Sequence, residues 1–262
     1  MSLLIWNCKG MGNPWTVKGL RDLLRDNNPH LVFLAETKCS TSQIENLKKQ
    51  LNLFGFYVDS KGKSGDLALL WQKSVDVQLQ SFSRYHIDVS IQLIESDDWW
   101  RFLRIYGEPD SNKLTEFWNL LCRLHRQSIR LWLCAGDFNE ILEHSEKESG
   151  PMRAEWQIPN FRNYLSSCEL HNMGFHNSVF TWCNNQQEPQ TVRERLDRVV
   201  QLWHGLKFFP KRESITWHPL IQITLYYLLS FDQLCVRKYR EVESAFGLKR
   251  FSSMIQFLSE LY

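Results

Sequence analysis

Apolar runs in this chain stop on polar residues of a narrow kind. Leu3-Leu4-Ile5-Trp6 ends on Asn7, Leu31-Val32-Phe33-Leu34-Ala35 on Glu36, Phe102-Leu103-Arg104-Ile105 on Tyr106, and Leu131-Trp132-Leu133-Cys134-Ala135-Gly136 on Asp137-Phe138-Asn139. Short apolar runs bounded by turn signals read as buried strands, and functional side chains belong where such strands stop. Their spacing along the chain points to one shared site built from strand ends.

Between these runs the pattern changes period. Val17, Leu20, Leu23 and Leu24 are spaced as on a helix over residues 15–27, which Asn28-Pro29 closes. A second helix is expected from the cap Ser40-Thr41-Ser42 to about Leu51, followed by strands at 55–59 and 66–71. Alternation over 75–81 and 86–93, with a turn at Asp97-Asp98 into 99–106, predicts three successive antiparallel strands. Helices are expected at 114–127 and 158–168, a strand at 131–136 and a short strand at 179–182. Strands and helices mixed with hairpins give an α+β class or a layered sandwich.

Composition narrows the function classes. With 262 residues, 43% hydrophobic content and eleven Trp, the chain can bury a large core and is no disordered segment. One domain is expected over residues 1–232, with a charged helical tail at 233–262. The formal net charge of +2 creates no global field for nucleic acid, so attraction to phosphate must be local, at clusters such as Arg193-Glu194-Arg195. Seven Cys without a CxxC pair fit neither a disulfide framework nor a zinc finger, and a reducing intracellular setting, nuclear or cytoplasmic, is expected. No apolar stretch approaches membrane-spanning length and no signal core is visible, so no membrane partner is expected.

Asp137 and Asn139 stand two residues apart, so in an extended chain both point to one side. A carboxylate can bind Mg²⁺ or orient a nucleophile, and an amide can hold a phosphate oxygen or a water, a combination suited to phosphodiester cleavage. Glu36 is a further carboxylate at a strand end, and Arg195-Leu196-Asp197-Arg198 adds an acid flanked by cations. Taken singly, each also reads as an ordinary turn, loop acid or surface ion pair.

Together these residues carry a family resemblance. Trp6-Asn7-Cys8-Lys9-Gly10-Met11-Gly12-Asn13-Pro14, Leu34-Ala35-Glu36-Thr37-Lys38, Gly65-Asp66-Leu67-Ala68-Leu69-Leu70-Trp71, Ile105-Tyr106-Gly107-Glu108-Pro109, Gly136-Asp137-Phe138-Asn139-Glu140-Ile141-Leu142, Phe180-Thr181-Trp182 and Glu194-Arg195-Leu196-Asp197-Arg198 follow one another in family order. The chain resembles the endonuclease/exonuclease/phosphatase superfamily, related in fold to deoxyribonuclease I and the apurinic/apyrimidinic endonucleases. In particular it looks like the endonuclease domain of plant non-LTR (LINE-type) retroelements. The resemblance implies a four-layered α/β/β/α sandwich and DNA as substrate or ligand. It also implies Mg²⁺ or Mn²⁺ held by Glu36 with help from Asn7, and Tyr106 beside the scissile phosphate. By the same resemblance Asp137 positions water, Asn139 holds a phosphate oxygen, and Asp197 orients a histidine.

That histidine is where the sequence departs from the family. The family's last strand is introduced by Ser-Asp-His, whereas this chain has no Asp-His pair. Setting Leu228-Leu229-Ser230-Phe231 on the final strand places Thr224-Leu225-Tyr226 in the motif's position, and the rival alignment uses His218-Pro219-Leu220 with Trp217 in place of the acid. Asp66, where relatives commonly carry a second Gly, is a further departure. The expected function is therefore a Mg²⁺-dependent DNA endonuclease with an incomplete active site and impaired turnover, His218 or Tyr226 being the substitutes for the missing imidazole. The alternatives are a non-catalytic nucleic-acid-binding module and a phosphatase or exonuclease of the same superfamily.

Overall fold

A computed structural model describes residues 1–8, 10–58, 66–94, 99–110, 113–127, 132–175, 179–202, 215–218 and 221–225. The chain divides into Met1–Tyr227 and Leu228–Tyr262, and the fold described is that of the first unit. The expected Asp97-Asp98 turn, Gly65, Tyr226 and the expected tail at 233–262 lie outside the described residues.

The elements run β1 (Leu3–Asn7), α1 (Pro14–Asn27), β2 (Leu31–Ala35), α2 (Thr41–Leu51), β3 (Phe54–Val58), β4 (Leu67–Trp71), β5 (Val75–Ser83), β6 (His86–Leu93), β7 (Trp100–Tyr106), α3 (Leu114–Arg126) and β8 (Trp132–Asp137). They continue with β9 (Lys147–Glu148), α4 (Gln157–Ser167), β10 (Leu170–Asn172), β11 (Trp182–Cys183), β12 (Arg193–Glu194), β13 (Asp197–Leu202), β14 (Ile215–His218) and β15 (Ile221–Leu225). One six-stranded sheet has the order β14-β15-β1-β2-β4-β3, the other β10-β13-β8-β7-β6-β5, and β11, β12 and β9 form a small third sheet. The expected antiparallel succession β5, β6, β7 is present.

Each large sheet contains one parallel pair, β1 with β2 and β7 with β8, joined by a crossover helix, α1 or α3. Local chemistry sets these helices. Asn13 caps α1 by accepting the Trp15 N–H at 3.0 Å with Pro14 in the first turn, and Ser40 and Gln43 form a reciprocal capping box on α2. Leu114, Phe117, Trp118, Leu121 and Leu124 give α3 one apolar face. That face packs with Phe161 and Leu165 of α4 against Leu103, Ile105, Cys134 and Val200. On the other sheet, Leu20, Ile44 and Leu47 of α1 and α2 cover Leu4, Val32, Leu34 and Leu70.

Alternation turns the remaining strand residues toward the opposite sheet. Phe33 of β2 lies under the Arg104 guanidinium of β7 at 4.6 Å, and Phe56 of β3 meets Phe82 of β5 with ring centroids 5.1 Å apart. The architecture is the expected α/β/β/α sandwich. The short strand is Trp182–Cys183 rather than 179–182; just before it, Thr181 donates its N–H to the Glu194 carbonyl at 2.9 Å, and its Oγ1 accepts the N–H groups of Leu196 and Asp197, both at 3.0 Å. Among the described residues no helix is long and apolar enough to cross a membrane.

Gly136, at φ 143°, fixes the join between β7 and β8, since a Cβ there would lie 2.0 Å from the Ile105 carbonyl oxygen and 1.3 Å from Arg104 Nη1. The backbone contact cannot be relieved by a rotamer change. Gly136→Ala is expected to destabilise the fold by about 3 kcal/mol, the scale of a forced backbone conformation plus a core clash. Chemical denaturation checks this, and an unchanged midpoint would contradict the packing described here.

Candidate active site

In open α/β sheets ligands bind outside the carboxyl ends of parallel strands. Here both sheets contribute such ends to one edge. Asn7 closes β1, Glu36 follows β2, Tyr106 closes β7 and Asp137 closes β8. Glu36 Oε1 accepts the Asn7 Nδ2–H at 2.7 Å and, across the sandwich, the Tyr106 hydroxyl at 3.1 Å. Tyr106 is the register partner of Asp137, and Asp137 of Asp197. The expected residues Asn7, Glu36, Tyr106, Asp137, Asn139 and Asp197 are thus drawn together, the first five partly exposed and Asp197 buried beneath them.

The Asp137 turn is held from three sides. Phe138 is buried against Trp118 and Phe161, so Asp137 and Asn139 project away from the helix-side core. Gly107 donates its N–H to the Asp137 carbonyl at 2.6 Å, and Asn139 Nδ2 donates to the Gly107 carbonyl at 2.8 Å. A Cβ on Gly107 would meet the Phe138 carbonyl at 2.7 Å, so only glycine allows this approach. The Asn139 N–H donates to Asp137 Oδ1 at 2.8 Å, which leaves the other carboxylate oxygen for a water. Asn139 and Glu36 both take left-handed backbone conformations, at φ 54° and 53°.

The donor set fits a hard divalent ion. Among the described residues Asn7 Oδ1 is buried without a hydrogen-bond partner, while its Nδ2 is spent on Glu36. An acceptor oxygen left open beside a carboxylate suits Mg²⁺, which takes one or two carboxylates and keeps several waters. Among the described residues no group of three or more His, Cys, Asp or Glu forms a denser metal cluster.

Burial dominates the electrostatics. It pushes the Tyr106 hydroxyl well above its ordinary value, reinforced by the charges of Glu36 and Asp137. Burial also raises Asp137 and Asp197, with the charge of Glu36 adding to the rise of Asp137 and that of Asp137 to the rise of Asp197, so the pair titrates with apparent values of about 6 and about 8.

Of the two residues expected to replace the family's histidine, Tyr226 lies outside the described residues and His218 ends a strand beside β15. On β15, Ile223 pairs with Ile5, Thr224 with Leu4 and Leu225 with Leu3, so Thr224 and Leu225 lie at the end of β1 remote from Asn7. His218 closes β14 opposite Ile221, the residue of β15 nearest the Asn7 end. Thr181 and Gly107 were given no role by the sequence. The one signal for them was their place inside the Phe-Thr-Trp and Ile-Tyr-Gly stretches.

The chain matches the model of the Endonuclease/Exonuclease/phosphatase family over residues 4–223. No curated protein matches it by sequence. Among solved structures, the endonuclease domain of TRAS1, a telomere-specific non-LTR retrotransposon, is similar at 13% identity and TM-score 0.64, covering 88% of this chain and 99% of that one. A 3' phosphatase, NExo, from Neisseria bound to a product DNA hairpin is similar at 13% identity and TM-score 0.62, covering 88% and 100%. The AP endonuclease LMAP from Leishmania major is similar at 13% identity and TM-score 0.61, covering 79% of this chain and 80% of that one. At such identities the likeness is one of fold.

A carboxyl group whose folded value exceeds its unfolded one binds protons preferentially in the native state. The stability it lends is present at low pH and is lost as pH rises from about 4 through about 8, the window set by Asp137 and Asp197. Asp197→Asn is therefore expected to raise the unfolding midpoint relative to the parent at pH 8 and to change it less at pH 5. Equal effects at both pH values would contradict the buried pair.

Proposed function

The chain belongs to the Endonuclease/Exonuclease/phosphatase family, and from that premise we propose that it hydrolyses phosphodiester bonds in DNA, as a Mg²⁺- or Mn²⁺-dependent endonuclease of non-LTR retroelement origin with reduced turnover. One observation carries the metal-dependent reading. Glu36 is hydrogen-bonded from both sheets, and beside it Asn7 presents a buried acceptor oxygen with no partner among the described residues.

Glu36 and Asn7 would hold the ion, which when bound supplies Lewis-acid stabilisation of charge on the phosphate and leaving oxygen. Asp137 accepts a hydrogen bond from the attacking water and fixes its line of approach. Asn139 keeps a second Nδ2–H beyond the one given to Gly107, and it offers this hydrogen to a phosphate oxygen. Tyr106, neutral at working pH, places its ring and hydroxyl along the phosphate's side of Glu36. Nearly all of the rate comes from such positioning and from charge stabilisation.

The register of β14 and β15 supports His218 for the place of the missing imidazole, since it pairs with Ile221 toward the Asn7 end of β1. Trp217 stands where the family has the acid of its Ser-Asp-His motif, so one carboxylate is missing from the site and turnover is low. The retroelement origin is supported by the Trp-Asn-Cys-Lys-Gly, Phe-Thr-Trp and Arg-Leu-Asp-Arg stretches at residues 6–10, 180–182 and 195–198. DNA as the substrate is supported by those stretches and by the DNA product bound to the related Neisseria enzyme.

Nicking of supercoiled plasmid in the presence of Mg²⁺ or Mn²⁺ tests this reading. The parent should nick slowly, Glu36→Ala should lose about 10²-fold or more, and His218→Ala should lower the rate further than Tyr226→Phe. Salt-dependent DNA binding with no nicking by the parent would instead indicate a binding module. Nicking that survives Glu36→Ala would remove the proposed metal centre.

A further inference from the structure

The layer between the sheets holds a cation that the site described so far does not use. Arg104 is 1% exposed, lies over the Phe33 ring, and among the described residues makes no ion pair. Its Nη1 donates to the Ile105 carbonyl and, at 3.2 Å, to the Ala135 carbonyl, while its Nε has no partner. A charged group buried without a countercharge is strongly unfavourable, so its field must fall on an anion nearby.

Strand register identifies that anion. Arg104, Ala135 and Val199 form one row across β7, β8 and β13, and Tyr106, Asp137 and Asp197 form the next row on the same face. The guanidinium leans toward the upper row, since its Nη1 occupies the space where a Cβ on Gly136 would stand. Arg195 and Arg198 are further buried cations close by, but Arg195 pairs with Glu146 at 3.9 Å and alternation turns Arg198 to the opposite face. There Glu146 takes its charge at 2.9 Å, and the Glu140 and Arg195 carbonyls accept from the same nitrogen. Arg104 is also the strongest influence opposing the rise that burial and Asp137 impose on Asp197.

We propose that Arg104 is the built-in countercharge of the Asp137–Asp197 pair, a positioning residue that supplies from below the positive charge which a family imidazole would bring from above. Its effect on catalysis rests on the endonuclease reading. Its electrostatic role does not. Arg104 keeps Asp137 ionised and oriented without touching the substrate, and Gly136 is the space that lets it do so.

A double-mutant cycle tests the charge role independently of activity. Arg104→Met should lower the unfolding midpoint of the full chain at pH 8, and a large part of that loss should vanish when Asp197→Asn is present, because only the Asp137 carboxylate of the pair is then left without its countercharge. Arg104→Lys should retain more of the parent midpoint than Arg104→Met. If Arg104→Met alone fails to fold, recovery of a folded protein on adding Asp197→Asn supports the proposal. An equal loss with and without Asp197→Asn, no recovery, or Arg104→Lys as damaging as Arg104→Met would overturn it. Plasmid nicking by the folded variants then reads the catalytic consequence. Absence of nicking in the parent bears on the endonuclease reading alone, since the cycle stands whatever that rate is.

Discussion

The hydrogen bond from the Tyr106 hydroxyl to Glu36 Oε1 spans the gap between two sheets, and the site exists only where that gap has one particular width. Facing sheets pack about 10 Å apart, a separation set by the side chains between them. Phe33 and Arg104 fill the layer directly below this bond, and Phe56 and Phe82 fill it toward the other edge. Glu36 also takes a hydrogen bond from Asn7 on its own sheet. One carboxylate thus registers the ends of β1, β2 and β7, and the Gly107 to Asp137 backbone bond extends that registration to β8. A slip of any one of these strands by one residue in its pairing register would turn its side chain at the site to the wrong face.

Much of this was legible in the sequence because burial on both faces leaves continuous apolar runs, and their ends are visible as the first polar residue. Asn7, Glu36, Tyr106 and Asp137 were found that way, and the fold gathers them at one edge. Helix limits were readable where capping chemistry is local, as at Ser40 and Gln43 or Asn28 and Pro29. What escaped is whatever depends on a partner far along the chain. Thr181 looked like a strand residue, yet its hydroxyl serves the N–H groups of Leu196 and Asp197. The three-stranded sheet of β9, β11 and β12 escaped for the same reason, since its two-residue strands are too short for any period.

Arg104 is the sharpest case of this kind. Inside Phe102-Leu103-Arg104-Ile105 it has the pattern of a side chain on a solvated strand face, and nothing local distinguishes that from a cation sealed between sheets. The clue lies 32 positions away, in a glycine that ends an apolar run and whose missing Cβ the guanidinium occupies. Long-range packing of this type leaves no periodic trace, and it decides the charge balance under the site.

Several features of this edge lower stability rather than raise it. Two carboxylates are register partners in low dielectric, Glu36 and Asn139 hold left-handed conformations, and Asn7 buries an unsatisfied oxygen. Left-handed backbone at a non-glycine residue costs on the order of 1 kcal/mol, and an orphaned buried polar atom about 1–3 kcal/mol. Selection for folding alone would place glycine at 36 and apolar residues at 137 and 197. Similar terms occur elsewhere, with Ser149 and Glu169 in left-handed backbone and His125 Nδ1 and Trp132 Nε1 without partners among the described residues, but at this edge they gather where parallel strand ends from both sheets meet. That gathering marks this edge as the candidate site, because strained backbone and an unsatisfied oxygen persist together only where the surrounding structure over-determines them.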